Sequence, residues 1–110
     1  MKTIAMLIVL LACVPSFAFG GEIYGTLTED RRSVGPNAQL EVTCAGKTYP
    51  RQTTDQYGSY RLFVQEKGKC TLKVHYKQQS PSTVISSYDS SVRYDLGLEK
   101  KDGQYVLRRK

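Results

Sequence analysis

Histidine and the carboxylates are the side chains best suited to catalysis, and the chain holds one histidine, His75, and ten acidic residues. By alternation, His75 lies on the outer side of a predicted strand between Lys73 and Lys77, where positive charge disfavours a further proton or a metal ion. The sequence shows no further residues at the spacing of a zinc site or a catalytic triad around His75. It also shows no pair of carboxylates at a spacing that suggests a glycosidase. We therefore predict a protein that is not an enzyme and that needs no cofactor.

The cysteines point to a covalent crosslink. Of three cysteines, Cys13 lies in the apolar N-terminal segment, whereas Cys44 and Cys70 fall on the inward sides of two predicted strands. The first residues predict export, as described below, and two cysteines in an exported protein favour a disulfide. Closing a loop of about 26 residues stabilises a fold by about 3–4 kcal/mol. We predict a Cys44–Cys70 disulfide, with two free buried thiols as the alternative.

Basic residues form the surface that most suggests a binding role, and the chain has a formal net charge of +6. Lys69, Lys73 and Lys77 share the outward side of one predicted strand, and Arg61 and Arg93 are outward by the same alternation. This set is a candidate anion-binding face, although lysines on a sheet also serve solubility. The expected partners are an unknown protein or an anionic glycan or lipid of the cell envelope, and nucleic acid is not expected.

The first residues predict export. Lys2 precedes an uninterrupted apolar stretch from residue 4 to residue 14, and the small residues Ser16 and Ala18 then stand two apart. This layout is typical of a secretory signal peptide over residues 1–18, cleaved after Ala18 or alternatively after Gly20. About eleven apolar residues are too few to span a bilayer, so no transmembrane span is expected in the mature chain.

A lipid anchor is the main alternative for localisation. The segment Leu10-Leu11-Ala12-Cys13 resembles a bacterial lipobox, in which Cys13 would be acylated and become the new N-terminus. The two hypotheses give a protein of the bacterial periplasm or the medium, or a lipoprotein anchored through Cys13.

The segments after Gly21 alternate between apolar and polar residues, a pattern typical of half-buried strands. The serine-rich stretch from Ser80 to Ser91 is interpreted as a solvated connection holding a short strand at Val84 and Ile85, and alternatively as a recognition loop. About seven short strands separated by turn residues predict an all-β, antiparallel Greek-key sandwich. The other predicted strands are Ile23–Leu27, Leu40–Cys44, Tyr60–Val64, Cys70–Tyr76, Val92–Leu98 and Gln104–Arg108.

One segment resembles a known family. Thr54–Leu62 reads TDQYGSYRL, and with the preceding VGPNA it resembles the carboxypeptidase regulatory-like domain. The resemblance implies a transthyretin-like (prealbumin-like) seven-stranded sandwich over residues 22–110, with no catalytic residues of its own. Local chemistry gives the segment a structural role, because Asp55 can accept backbone N–H groups, Gly58 can adopt positive φ and Tyr60 re-enters the core.

These observations predict a non-catalytic exported domain that binds or scaffolds in the cell envelope. The alternative is a carbohydrate-binding module, for which Tyr24, Tyr49, Tyr57 and Tyr88 are candidate stacking residues. The absence of tryptophan argues against a strong sugar-binding platform.

Overall fold

The computed structural model describes residues 21–110; the predicted signal peptide over residues 1–18 and Cys13 lie outside the described residues. The regular secondary structure of the described residues consists of β-strands and a 3₁₀ turn at Gly35–Asn37. The seven longer strands, each of six residues or more, are β1 (Gly21–Glu29), β3 (Gln39–Cys44), β6 (Ser59–Val64), β7 (Gly68–His75), β8 (Ser82–Ser87), β10 (Leu96–Lys101) and β11 (Gln104–Arg109). The two-residue strands are β2 (Arg32–Ser33), β4 (Lys47–Thr48), β5 (Gln52–Thr53) and β9 (Val92–Arg93).

The strands form two sheets that pack face to face, which confirms the predicted all-β sandwich. Sheet 1 runs β6–β1–β10–β11 across its width, with β2 and β9 as short additional neighbours of β1. Sheet 2 runs β3–β7–β8, with β4 and β5 along the other side of β3. Most pairs are antiparallel, as the sequence pattern predicted.

Strand β1 adds a feature that the pattern did not predict. Its first half pairs antiparallel with β6, but its other side pairs in parallel with β9 and β10, so that Ile23 lies opposite Val92 and Leu27 opposite Leu96. Alternation is typical of antiparallel sheets with one solvated face, but its period of two residues is the same in a parallel strand, so it does not identify individual parallel pairs.

The core lies between the sheets and is filled by the inward side of each strand. Leu40 and Val42 of β3, Leu72 and Val74 of β7, and Leu62 of β6 are each at most 1% exposed. Complete burial of one such aliphatic side chain contributes about 1.5–3 kcal/mol. The core therefore supplies the main stabilisation of the sandwich.

The predicted strand Val92–Leu98 is divided in the structure. Tyr94 and Asp95 separate β9 from β10, and the Tyr94 carbonyl accepts a hydrogen bond from the Tyr60 hydroxyl at 2.6 Å. This close approach needs Gly25, because a Cβ there would lie 2.0 Å from the Tyr94 oxygen. The chain between β9 and β10 thus packs directly against β1, and the absence of a side chain at Gly25 makes room for it.

The serine-rich stretch holds more regular structure than the sequence indicated. Strand β8 is six residues long and pairs with β7, and its Ile85 is buried while Val84 is 53% exposed. The Tyr94 hydroxyl donates to the Ser86 carbonyl at 3.1 Å and accepts from the Ser86 N–H at 3.0 Å. Tyr94 thereby ties sheet 1 to the outer edge of sheet 2.

Candidate functional site

The predicted disulfide is present. Cys44 of β3 and Cys70 of β7 lie directly opposite one another in the ladder, with Cα atoms 4.4 Å apart, and their sulfurs are bonded. Both residues are buried, so the bond belongs to the core and is closed to reagents in the folded protein.

The turn motif has the predicted local geometry. Asp55 Oδ1 accepts the N–H groups of Tyr57 and Ser59, each at 2.9 Å, and Gly58 has a φ of +75°. Tyr60 enters the core, where burial raises the pKa of its hydroxyl. Asp55, Gly58 and Tyr60 therefore build the start of β6.

The five residues of the candidate anion-binding face do not form one surface. Lys69 and Lys73 lie on the outer face of sheet 2, and Arg61 and Arg93 lie on the outer face of sheet 1. Lys77 is outside β7, which ends at His75, and has a φ of +48° in the turn to β8. Alternation marks a residue as outward without saying which of two opposite faces it joins.

Lys77 belongs to a cluster around Glu29. The Glu29 carboxylate accepts hydrogen bonds from the Tyr76 hydroxyl at 2.8 Å and the Tyr105 hydroxyl at 2.6 Å, and Lys77 Nζ lies 3.6 Å away. The Tyr105 bond, followed by the Tyr76 bond, lowers the pKa of Glu29. Burial, then the bond to Glu29, raises the pKa of Tyr76 to about 12. This cluster joins β1, β11 and the β7–β8 turn.

His75, which the sequence predicts on the outer side of its strand, is half-buried there and bonded on both ring nitrogens. Its Nε2 lies 2.6 Å from Glu41 Oε1 and its Nδ1 lies 3.0 Å from Ser80 Oγ. The bond to His75 is the largest cause that lowers the pKa of Glu41, and Arg51 Nε also donates to this carboxylate, at 3.1 Å. Ser80, His75 and Glu41 are thus bonded in the order of a catalytic triad, so the prediction that the chain lacks triad partners is wrong. Ser80 is exposed, however, and the residue after it is Pro81, whose backbone nitrogen has no hydrogen to donate to an oxyanion. We interpret these bonds as a crosslink between β3, β7 and the following turn.

A groove on the outer face of sheet 1, walled in part by β5 of sheet 2, brings several predicted residues together. Tyr24 of β1 is the direct neighbour of Arg61 on β6 and of Arg93 on β9, so the three form one row across the sheet. The groove over this row has a volume of about 510 Å³, within the range of small-molecule sites. Its other walls include Thr26, Gln52, Thr53, Asp55 and Ser59.

Each arginine of the row is held by a neighbouring carboxylate. Arg93 Nε lies 3.1 Å and 3.0 Å from the two carboxylate oxygens of Asp95, and Arg61 Nε contacts Glu22. Hydrogen bonding from Arg93 is the largest cause that lowers the pKa of Asp95, which also accepts the N–H and hydroxyl of Thr26. Both pairs use the Nε atoms, and the terminal amino groups of both guanidinium groups have no hydrogen-bond partner among residues 21–110.

Three of the four candidate stacking residues, Tyr49, Tyr57 and Tyr88, do not line the groove. Tyr57 and Tyr88, which are 68% and 53% exposed, occupy the loops before β6 and after β8. The Tyr49 hydroxyl accepts the N–H groups of Gln65 and Glu66. Of the four candidate stacking residues, Tyr24 lines the groove, where the Arg93 guanidinium carbon lies 5.9 Å from its ring centre. Strand register, which alternation does not give, was needed to find this combination.

The part of the chain from Gly21 onward contains neither a helix long and apolar enough to cross a membrane nor a cluster of three potential metal ligands. The chain matches no protein-family model and shows no significant similarity to a curated protein. The resemblance of Thr54–Leu62 to the carboxypeptidase regulatory-like domain therefore stays a prediction.

Proposed function

We propose that this protein is a non-catalytic, exported binding domain that holds its partner in the groove on the outer face of sheet 1. The row Arg61–Tyr24–Arg93 carries the proposal, because it offers two oriented guanidinium groups on either side of an aromatic ring. A rigid sheet presents such groups with little loss of conformational freedom on binding.

Two further observations support this assignment over a catalytic one. His75 and Glu41 lie on β7 and β3, Ser80 lies in the turn after β7, and none of the three lines the groove. Within the groove, Asp55 already accepts two backbone N–H groups, which fixes it as a turn residue. We retain a transthyretin-like, carboxypeptidase regulatory-like domain as the proposed family, and export rests on the signal pattern together with the disulfide.

Capture of cell-envelope material by the immobilised protein, expressed as the full chain and processed by the host, tests the site. The variant Arg61→Gln/Arg93→Gln should lose most of the captured material. The matched control Lys69→Gln/Lys73→Gln removes the same charge from sheet 2 and should retain it. Equal losses in both variants would show that net charge, not the groove, governs binding.

A carbohydrate-binding module is the second candidate, favoured by the position of Tyr24 at the centre of the row. Aromatic rings on sheets provide flat surfaces for apolar faces of ligands. Neutral soluble sugars should then raise the melting temperature of the wild-type protein and not that of Tyr24→Ala. No shift with any sugar would remove this candidate.

A further inference from the structure

Building on the proposed binding groove, we infer that its ligand is an acidic saccharide, with the oxyanion held by Arg61 and Arg93 and a sugar ring placed against Tyr24. The groove would stay a binding site for another ligand if this assignment fails.

The guanidinium geometry determines the charged part of the ligand. A guanidinium group presents parallel N–H donors that match the two oxygens of a carboxylate or phosphate. Asp95 and Glu22 bind the Nε atoms and so fix the orientation of Arg93 and Arg61. The terminal amino groups, unpaired within residues 21–110, are the donors left for a ligand.

The remaining walls of the groove determine the neutral part. Gln52 supplies an amide, and Thr53 and Ser59 supply hydroxyls, all of which can both donate and accept. A ligand matching this set carries several hydroxyls beside an apolar face that fits Tyr24. A sugar ring has both features, whereas a free inorganic anion has neither.

Charge balance argues against a broad anionic surface such as a lipid bilayer. The two arginines of the row are compensated by Glu22 and Asp95, and Asp55 adds a negative charge to the groove wall, so the groove has no net positive charge. Attraction to a charged surface requires uncompensated charge that acts over about 8–10 Å. The row is instead suited to one oxyanion at hydrogen-bond distance.

Titration calorimetry or NMR with three probes tests the inference on the processed full-length protein. The probes are a galacturonic acid oligomer, the same oligomer with its carboxylates methyl-esterified, and inorganic phosphate. The acidic oligomer should bind about tenfold or more tightly than its ester, because hydrogen bonds from guanidinium groups are stronger to a charged carboxylate than to a neutral ester. Phosphate should bind more weakly than the acidic oligomer, because it has no ring to contact Tyr24.

Variants locate the binding. Arg93→Lys keeps the charge but loses the paired donors, and should weaken binding of the acidic oligomer at least about tenfold. Lys69→Gln/Lys73→Gln should leave it unchanged. Equal binding of the oligomer and its ester, phosphate binding as tightly as the oligomer, or no binding of the acidic oligomer would overturn the ligand class. If envelope capture still depends on Arg61 and Arg93, the groove keeps its proposed function.

Discussion

The Asp55 turn shows how much a few residues can reveal before the fold is known. Asp55 and Gly58 were predicted to close a turn, and the observed hydrogen bonds and positive φ agree with that prediction. Such chemistry is local, since a carboxylate reaches N–H groups two and four residues ahead without the rest of the molecule. His75 shows the opposite case, because its partner Glu41 comes from a different strand and only the register places them together.

We expect Gly58→Val to be strongly destabilising. The residue has positive φ, and an added Cβ would lie 2.6 Å from Ser33 Oγ and 2.7 Å from the Leu27 carbonyl. Backbone strain and the steric clash together should lower the free energy of unfolding by about 3 kcal/mol or more. Urea unfolding gives this value directly.

Gly46→Val is the matched control, because Gly46 also has positive φ but no atom lies within 4 Å of the position that a Cβ would take. It should cost about 1–2 kcal/mol, the penalty for strain alone. Similar losses at both positions would mean that the contacts of Gly58 with β1 and Ser33 contribute nothing.

At the level of elements, the sequence predicted where strands occur better than it predicted which strands pair with one another. The inward residues of β3, β6 and β7 follow from alternation and are buried as predicted. The parallel pairing of β1 with β10, the interruption at Tyr94 and the length of β8 depend on contacts with distant residues. The groove could not be predicted for the same reason, because Arg61 and Arg93 meet only through their common neighbour Tyr24.

The disulfide between β3 and β7 should make a large contribution to stability. Its two cysteines are 26 residues apart, and a crosslink over a loop of that length restricts the unfolded chain by about 3–4 kcal/mol. Cys44→Ala/Cys70→Ala should therefore lower the unfolding free energy by about that amount. Adding reductant should lower the urea midpoint of the wild type and leave that of the double variant unchanged; equal midpoints for the two oxidised proteins would contradict the prediction.

For the whole molecule, three carboxylates should control stability in acid. Glu29, Glu41 and Asp95 link different strands, and the bonds that they accept lower their pKa values below the ordinary 4.5 for Glu and 3.8 for Asp. Because these groups are more acidic in the folded state, their stabilisation is present above the ordinary values and is lost as the pH falls through the lowered ones. Unfolding free energy should thus be flat at neutral pH and decline below about pH 4.5.

In alkaline solution the free energy of unfolding changes with pH in the opposite direction. The raised pKa of Tyr76, about 12 against an ordinary 10.0, means that stability falls as the pH rises from 10 towards 12. Chemical denaturation across the pH range measures both slopes. Glu29→Gln should flatten part of the acid slope and Tyr76→Phe part of the alkaline slope, and an unchanged profile in both variants would show that the cluster does not govern the response.

The parallel pairing of β1 limits how early its hydrogen bonds can form while the chain is being synthesised. Translation or translocation delivers β1 early, yet the Thr26 N–H must wait for Asp95, which lies 69 residues later. At about 5–20 residues per second, that interval is roughly 3–14 s. During it β6 is the only long neighbour available to β1, so the other margin of β1 stays open. A nascent chain halted before Val92, where β9 begins, therefore presents that margin to any other extended chain that it meets.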